Sequence, residues 1–246
     1  METKIVKGIV LREAEYRESD KILTVLTESG KITVTARGVK KPTGKNLSLS
    51  SLFVYSEMTL NLQNGKYYLA GGSLIESFYP LREDLERLSL ATAFTEITSY
   101  LSENGEDAAF MQKLLLNCLY FLCKKEINID LVKAVFEAKC AEYSGFFPEF
   151  EGCDLCGEIT EKMYFEPEAC ELTCRRCAED TNAFLQVNMN VLAALRYIGA
   201  NGLLKAVKFT MNERDLRTLS NVTESILCAQ LGRRFESLDY FKKLRI

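Results

Sequence analysis

Residues 21–37 read KILTVLTESGKITVTAR. Lys21–Thr27 is an apolar run rich in β-branched residues, and Ser29-Gly30 is a turn pair. Ile32, Val34 and Ala36 then alternate with Lys31, Thr33, Thr35 and Arg37. Successive side chains of a strand point to opposite faces, so the second run is a strand with one buried and one polar face. The pattern continues on both sides. Upstream, Ile5, Lys7, Ile9 and Leu11 alternate with Val6, Gly8, Val10 and Arg12, a β-rich stretch with apolar residues on both faces. Downstream, residues 53–62 place Met58, Leu60 and Leu62 on one side. Asn64-Gly65 is the dipeptide of a type I′ hairpin, and Lys66–Leu74 returns. Five short strands with one long connection at 38–52 suit a small five-stranded barrel, and an OB-fold is the leading architecture.

The period changes after Pro80. Leu81–Leu101, Met111–Leu122 and Leu131–Tyr143 carry apolar residues at three-to-four spacing, the pattern of amphipathic helices, with Asp130 as the expected N-cap of the third. Residues 191–198 and 216–231 follow the same rule. The expected fold is therefore α+β: an N-terminal five-stranded OB-fold barrel at 1–80, then a mostly helical domain at 81–246 carrying a cysteine motif at about 150–180.

Composition narrows the chemistry. The 246 residues include nine cysteines and no histidine. That removes Ser-His-Asp and Cys-His catalysis, histidine-liganded metals and the usual general base near neutral pH. A binding protein, not an enzyme, is the expectation. No apolar run approaches the ~20 residues that span a bilayer, and the N-terminus lacks a signal-peptide stretch. The expected location is the cytoplasm, with reduced thiols. Cys118, Cys123, Cys140 and Cys228 fall within helical stripes and read as small buried hydrophobes. Formal charge is −3 overall but uneven: residues 1–80 carry +3, 81–150 −5, 151–180 −6 and 181–246 +5. Basic ends attract phosphate whatever the global sign, and an acidic middle would confine a polyanion to those ends.

The connection from Arg37 to Asn46, RGVKKPTGKN, concentrates Arg37, Lys40, Lys41 and Lys45 with two glycines and a proline. These side chains suit phosphate oxygens. It is not a P-loop: Gly38 and Gly44 enclose five residues where four are required, and Asn46 stands where a hydroxyl must hold magnesium. Tyr16, Phe53, Tyr55, Tyr67 and Tyr68 lie in the same region. On the alternation above, Phe53 and Tyr55 fall opposite the apolar face and are the preferred base-stacking candidates.

Cys153-Asp-Leu-Cys156 is followed after 17 residues by Cys174-Arg-Arg-Cys177. Two residues between thiolates let one tight turn bring both sulfurs to a single ion, and two such turns complete a tetrahedron. Cys153, Cys156, Cys174 and Cys177 are the expected ligands of a structural Zn²⁺ ion, with Gly157 suited to the turn and Cys170 a nearby fifth thiol.

In this order, the segments VTARGVKK (34–41), FFPEF (146–150), CDLCG (153–157), YFEPE (164–168), CRRC (174–177) and LGRRFESL (231–238) resemble the bacterial RecO family of recombination mediators along nearly the whole chain. The resemblance implies an OB-fold on a helical body with a zinc motif. It also implies binding of single- and double-stranded DNA, annealing of complementary strands and recombinational DNA repair at the nucleoid. RecR and single-stranded DNA-binding protein are the implied partners, and RecA loading the implied outcome. It assigns Arg37, Lys40 and Lys41 as DNA contacts and the four paired cysteines as metal ligands; Lys45 is added from loop charge. Residues 169–171, Ala-Cys-Glu, depart from the family's glycine-rich turn. The alternative is an RNA-binding or ribosome-associated zinc-ribbon protein, distinguished by contacts to 2′-hydroxyls. A nuclease using Glu83, Asp84 and Glu86 ranks last, since these acids read as a solvated helix face.

Overall fold

The computed structural model describes residues 2–41, 44–102, 108–178 and 184–245. Packing divides the chain into two compact units, Met1–Cys123 with Glu236–Ile246, and Lys124–Phe235. The change from strands to helices thus falls inside the first unit, which takes its own helices.

In that unit, strands β1 (Glu2–Tyr16), β2 (Asp20–Thr27), β3 (Gly30–Ala36), β4 (Tyr55–Gln63) and β5 (Lys66–Glu76) close in the order β1-β2-β3-β5-β4. All neighbours are antiparallel except β3 and β5, which run parallel with Val34 opposite Tyr67 and Thr35 opposite Tyr68. This is the expected OB-like barrel. Closure depends on β1, whose first half pairs with β4 and second half with β2. The strand turns that corner at Gly8, where a Cβ would stand 2.5 Å from the Val25 side chain. A register slip follows between Val10 and Arg12, the local bend a bulge produces.

Val10, Leu23, Val25, Val34, Ala36, Met58 and Leu60 fill the barrel. Ile9 and Leu26 are also fully buried, outside that cluster. They belong to the strands against which helices α1 (Leu85–Leu101) and α2 (Ala108–Cys123) pack. The two apolar faces of β1 and β2 therefore have two partners, the barrel interior and a helical layer. Gln112 of α2 donates to the Leu26 carbonyl at 2.8 Å, satisfying a buried amide at that junction. At the β4–β5 turn, Asn64 and Gly65 both have positive φ, 50° and 73°, as type I′ geometry demands.

Helix α1 starts four residues later than its apolar stripe. Pro80 lies in a 3₁₀ turn, Tyr79–Glu83, and extended Asp84 is the N-cap, accepting from the Arg87 amide at 3.2 Å.

The second unit holds α3 (Ile129–Tyr143), a three-stranded sheet of β6 (Lys162–Glu166), β7 (Glu171–Cys174) and β8 (Leu185–Asn188), then α4 (Met189–Ala200), α5 (Leu203–Ala206) and α6 (Glu213–Gln230). Asn128, not Asp130, caps α3: its side chain accepts from the Asp130 amide at 2.8 Å. Asp130 sits one position inside the helix, where its charge favours the positive end of the dipole. Buried Asp215 joins two helix starts. Its carboxylate accepts amide N–H groups from Asn188 (2.6 Å), Asn190 (2.9 Å) and Asn212 (2.7 Å), and Asn188 and Asn212 are the N-caps of α4 and α6. These donors hold its carboxyl below the usual range despite burial.

The last helix, α7 (Glu236–Lys243), returns to the first unit and packs on α1, where the Ser237 amide donates to Glu96 at 3.3 Å. Cys118 and Cys140 are buried as expected, and Cys123 and Cys228 are half-buried. Among the described residues no helix is long and apolar enough to cross a membrane.

Candidate nucleic-acid interface and metal centre

The parallel pairing of β3 and β5 creates the cleft of the barrel. Because Thr35 is opposite Tyr68, Arg37, two residues further on the same face, reaches over the tyrosine ring, its guanidinium carbon 4.0 Å from the centroid. A cleft of about 600 Å³ surrounds this pair, walled by Tyr16, Arg17, Lys66 and Tyr67 and by the side of β3. Arg17, at the β1–β2 turn with φ 55°, lies over Tyr16 at 5.1 Å. The cleft is bordered by Arg17 from the β1–β2 turn and Gly65 from the β4–β5 turn, the two loops by which OB-folds hold oligonucleotides. Among the described residues, four cations, Arg17, Lys31, Arg37 and Lys66, line it against the single acid Asp20, with the Lys31 ammonium donating to the Ser99 carbonyl of α1. Asp20 is buried, with its carboxylate accepting the Gly38 amide at 2.8 Å.

The basic loop is braced, not loose. Besides the Asp20 contact, the Lys40 amide donates to the Ser19 carbonyl at 3.0 Å, and the Gly44 amide donates to the Lys41 carbonyl at 2.8 Å. Gly44 approaches so closely that a Cβ would lie 2.8 Å from the Val39 carbonyl and 2.9 Å from that of Gly38. Pro42 and Thr43 lie outside the described residues. Arg37, Lys40, Lys41 and Lys45 are all exposed. Lys40 is paired with Glu15 at 2.9 Å, and that contact holds the Glu15 carboxyl below its ordinary range.

The stacking preference drawn from alternation is corrected. Phe53 is 1% exposed with φ 67°. It precedes β4, which begins at Tyr55, so strand parity does not extend to it. Tyr55 is half-buried and does not line the cleft. The aromatics at the cations are Tyr16, Tyr67 and Tyr68. The signal available for the last two was a tyrosine pair immediately after the hairpin turn, at Asn64-Gly65-Lys66.

In the second unit the cysteine pairs come together. The Sγ atoms of Cys153, Cys156, Cys174 and Cys177 all lie within 4.8 Å of one another, with Cys156 and Cys174 at 3.8 Å. An ion about 2.3 Å from each of four tetrahedral sulfurs separates them by roughly 3.8 Å, so the donor set fits Zn²⁺. Each pair sits on a tight turn. In one, the Gly157 amide donates to the Cys153 carbonyl at 2.7 Å, with Gly157 at φ 74°. In the other, the Cys177 amide donates to the Cys174 carbonyl at 3.0 Å. Asp154 ties the first turn to β7: its amide donates to the Leu172 carbonyl at 2.8 Å, and its carboxylate accepts the Leu172 amide at 2.6 Å. Burial opposes ionisation of Cys153, but hydrogen bonds from the backbone of Cys174, Leu155 and Cys156 outweigh it and bring the thiol down to about 6. Contacts with Cys156 and Cys174 push Cys177 up to about 12.

Cys170 is not part of the cluster. Its thiol donates to the Phe146 carbonyl at 3.5 Å, and burial pushes it up to about 11. It occupies the β6–β7 turn at φ 61°, the conformation a glycine would favour, and so takes the place of the expected glycine-rich turn.

Comparison with known proteins finds matches over nearly the whole chain. The family model described as Recombination protein O N terminal matches residues 1–78, and that described as Recombination protein O C terminal matches residues 82–239. A DNA repair protein RecO of Acetivibrio thermocellus is 30% identical over 239 residues, covering 96% of this chain and 95% of that protein. Proteins of the same name from Clostridium perfringens and Alkaliphilus metalliredigens are 28% and 29% identical, each covering 97% of this chain and 97% and 98% of their own.

Proposed function

The chain belongs to the RecO family of DNA repair proteins, and from that premise we propose that it is a recombination mediator that holds single DNA strands in the barrel cleft and pairs them. The observation that carries this reading is the Arg37 guanidinium stacked on Tyr68 inside a cleft lined by four cations. Cations there neutralise phosphates and release counterions, which makes affinity fall with salt. Aromatic rings stack bases, at about 1–3 kcal/mol per base, and Tyr16, Tyr67 and Tyr68 stand at the cleft. Arg37, Lys40, Lys41 and Lys45 continue the basic surface along the loop after β3. Two strands held on neighbouring basic surfaces meet at raised local concentration, which speeds pairing without covalent chemistry. The protein is in this reading not an enzyme. It binds single- and double-stranded DNA, works in the cytoplasm with RecR and single-stranded DNA-binding protein, and assists RecA loading, as the family resemblance implies.

A competition titration separates this from RNA binding. A labelled DNA single strand bound by the protein should be displaced about as well by unlabelled DNA as expected from mass action, and less well by RNA of the same sequence. Preferential displacement by RNA would favour the zinc-ribbon alternative.

Cys153, Cys156, Cys174 and Cys177 would hold a structural Zn²⁺ ion. Four thiolates fill a tetrahedron, so the ion would cross-link the two turns and offer no open position. Binding contributes on the order of 10 kcal/mol in isolated zinc motifs, comparable with the ~5–15 kcal/mol stability of a whole domain. The purified protein should therefore contain one zinc per chain by elemental analysis. Cys174→Ser should lose both the metal and thermal stability. A metal-free wild type melting as high as one supplied with zinc would contradict the assignment.

A further inference from the structure

Among the described residues, Lys40 is the basic-loop cation held in an ion pair, its Nζ 2.9 Å from the Glu15 carboxylate. The two partners are held from different sides. Glu15 is on β1, opposite Lys21 of β2, and its side chain is 76% exposed. Lys40 is fixed through its backbone, by the hydrogen bond its amide donates to the Ser19 carbonyl, and through Gly38, whose amide donates to Asp20. The loop is thus docked on the β1–β2 turn whether or not the ion pair forms. Removing the carboxylate would free the ammonium without releasing the loop.

An incoming phosphate and Glu15 compete for the same three N–H donors. We propose that Glu15 limits the affinity of the basic loop for nucleic-acid phosphate: it neutralises Lys40 in the unbound protein, and a strand must displace it to gain that contact. The inference rests on the reading of the barrel as the strand-binding site. It assigns Glu15 as a positioning residue acting through Lys40, not as a contact residue. A protein that pairs strands must also release the duplex, and a masked cation lowers affinity without removing a binding group.

The test is single-strand binding by fluorescence anisotropy across a salt series, with wild type, Glu15→Gln, Lys40→Ala and the double variant, and Arg37→Ala as a separate arm. Glu15→Gln should bind several-fold more tightly at low salt. Its dependence of log affinity on log salt should stay near that of wild type, because the strand gains the Lys40 contact in both proteins. In the Lys40→Ala background the same substitution should give a much smaller gain. An equal gain in both backgrounds would mean that Glu15 acts by general repulsion, and would overturn the proposal. No gain in either would also overturn it. Loss of the underlying reading looks different: Arg37→Ala would then bind as wild type does. Thermal melts confirm that each variant is folded; in the exposed Glu15 position, Gln keeps the shape of the side chain.

Discussion

Replacing Arg37, Lys40 and Lys41 together by alanine should weaken single-strand DNA binding by about 100-fold at 0.1 M salt. Two phosphate contacts at about 1 kcal/mol each account for roughly 30-fold. Loss of the Arg37 guanidinium from Tyr68 removes part of a stacking surface and supplies the remainder. Lys40 contributes less than its charge suggests, because Glu15 already engages it. Each lost contact should also flatten the salt dependence by about 0.7 in log–log slope. Anisotropy titrations at several salt concentrations read both quantities. The variant should melt near wild type, since all three side chains are exposed and the loop is held by backbone bonds from Ser19 and Asp20. A folded variant with unchanged affinity and slope would move the DNA site away from the barrel.

Outside the cysteine cluster, the largest effect on stability is expected in α3. Lys133 is 2% exposed and Glu137 0%. The Lys133 ammonium lies 2.8 Å from Glu137 and 2.9 Å from Glu224, and donates to the Ser220 carbonyl at 3.2 Å and its hydroxyl at 3.1 Å. Thr223 donates to the Glu137 carboxylate at 2.8 Å. The network joins α3 to α6. Burial pushes the Glu137 carboxyl up to about 7 against the pull of Lys133. Lys133→Ala removes the cation and leaves that carboxyl buried with its hydroxyl donor alone, at a cost of about 3–5 kcal/mol. Lys133→Met with Glu137→Leu should regain much of the loss, because apolar replacements of a buried pair are often neutral. Urea unfolding measures the difference. A Lys133→Ala variant within 1 kcal/mol of wild type, as a rough bound for substitutions that break no buried feature, would show that the pair is not holding these helices.

What could be read from residue order alone was what is local. The two Cys-x-x-Cys pairs dictate their own turns, and the structure brings their sulfurs together. Asn64-Gly65 dictates the positive φ angles it adopts. Alternation in residues 21–37 dictates the paired strands β2 and β3. The misses are long-range or lie at element ends. The parity that places Phe53 opposite the apolar face stops where β4 starts. The Arg37–Tyr68 stack depends on the parallel register of β3 and β5, which no local pattern encodes. Asn128 and Asp130 are both good caps, and two residues decide which carries the first turn. Nothing in the local pattern around Lys133 and Glu137 marks them as buried, yet α6 supplies Ser220, Thr223 and Glu224 to receive them. The return of α7 to α1 joins residues more than a hundred positions apart, Glu96 and Ser237.

Pairing of DNA strands in the barrel's basic cleft is the central proposal. The most direct measurement is the rate of annealing of two complementary oligonucleotides, each coated with single-stranded DNA-binding protein, with wild type and with the folded Arg37/Lys40/Lys41→Ala variant. Acceleration by wild type that is lost in the variant is the predicted result. Equal acceleration by both proteins, or none by wild type, would contradict it.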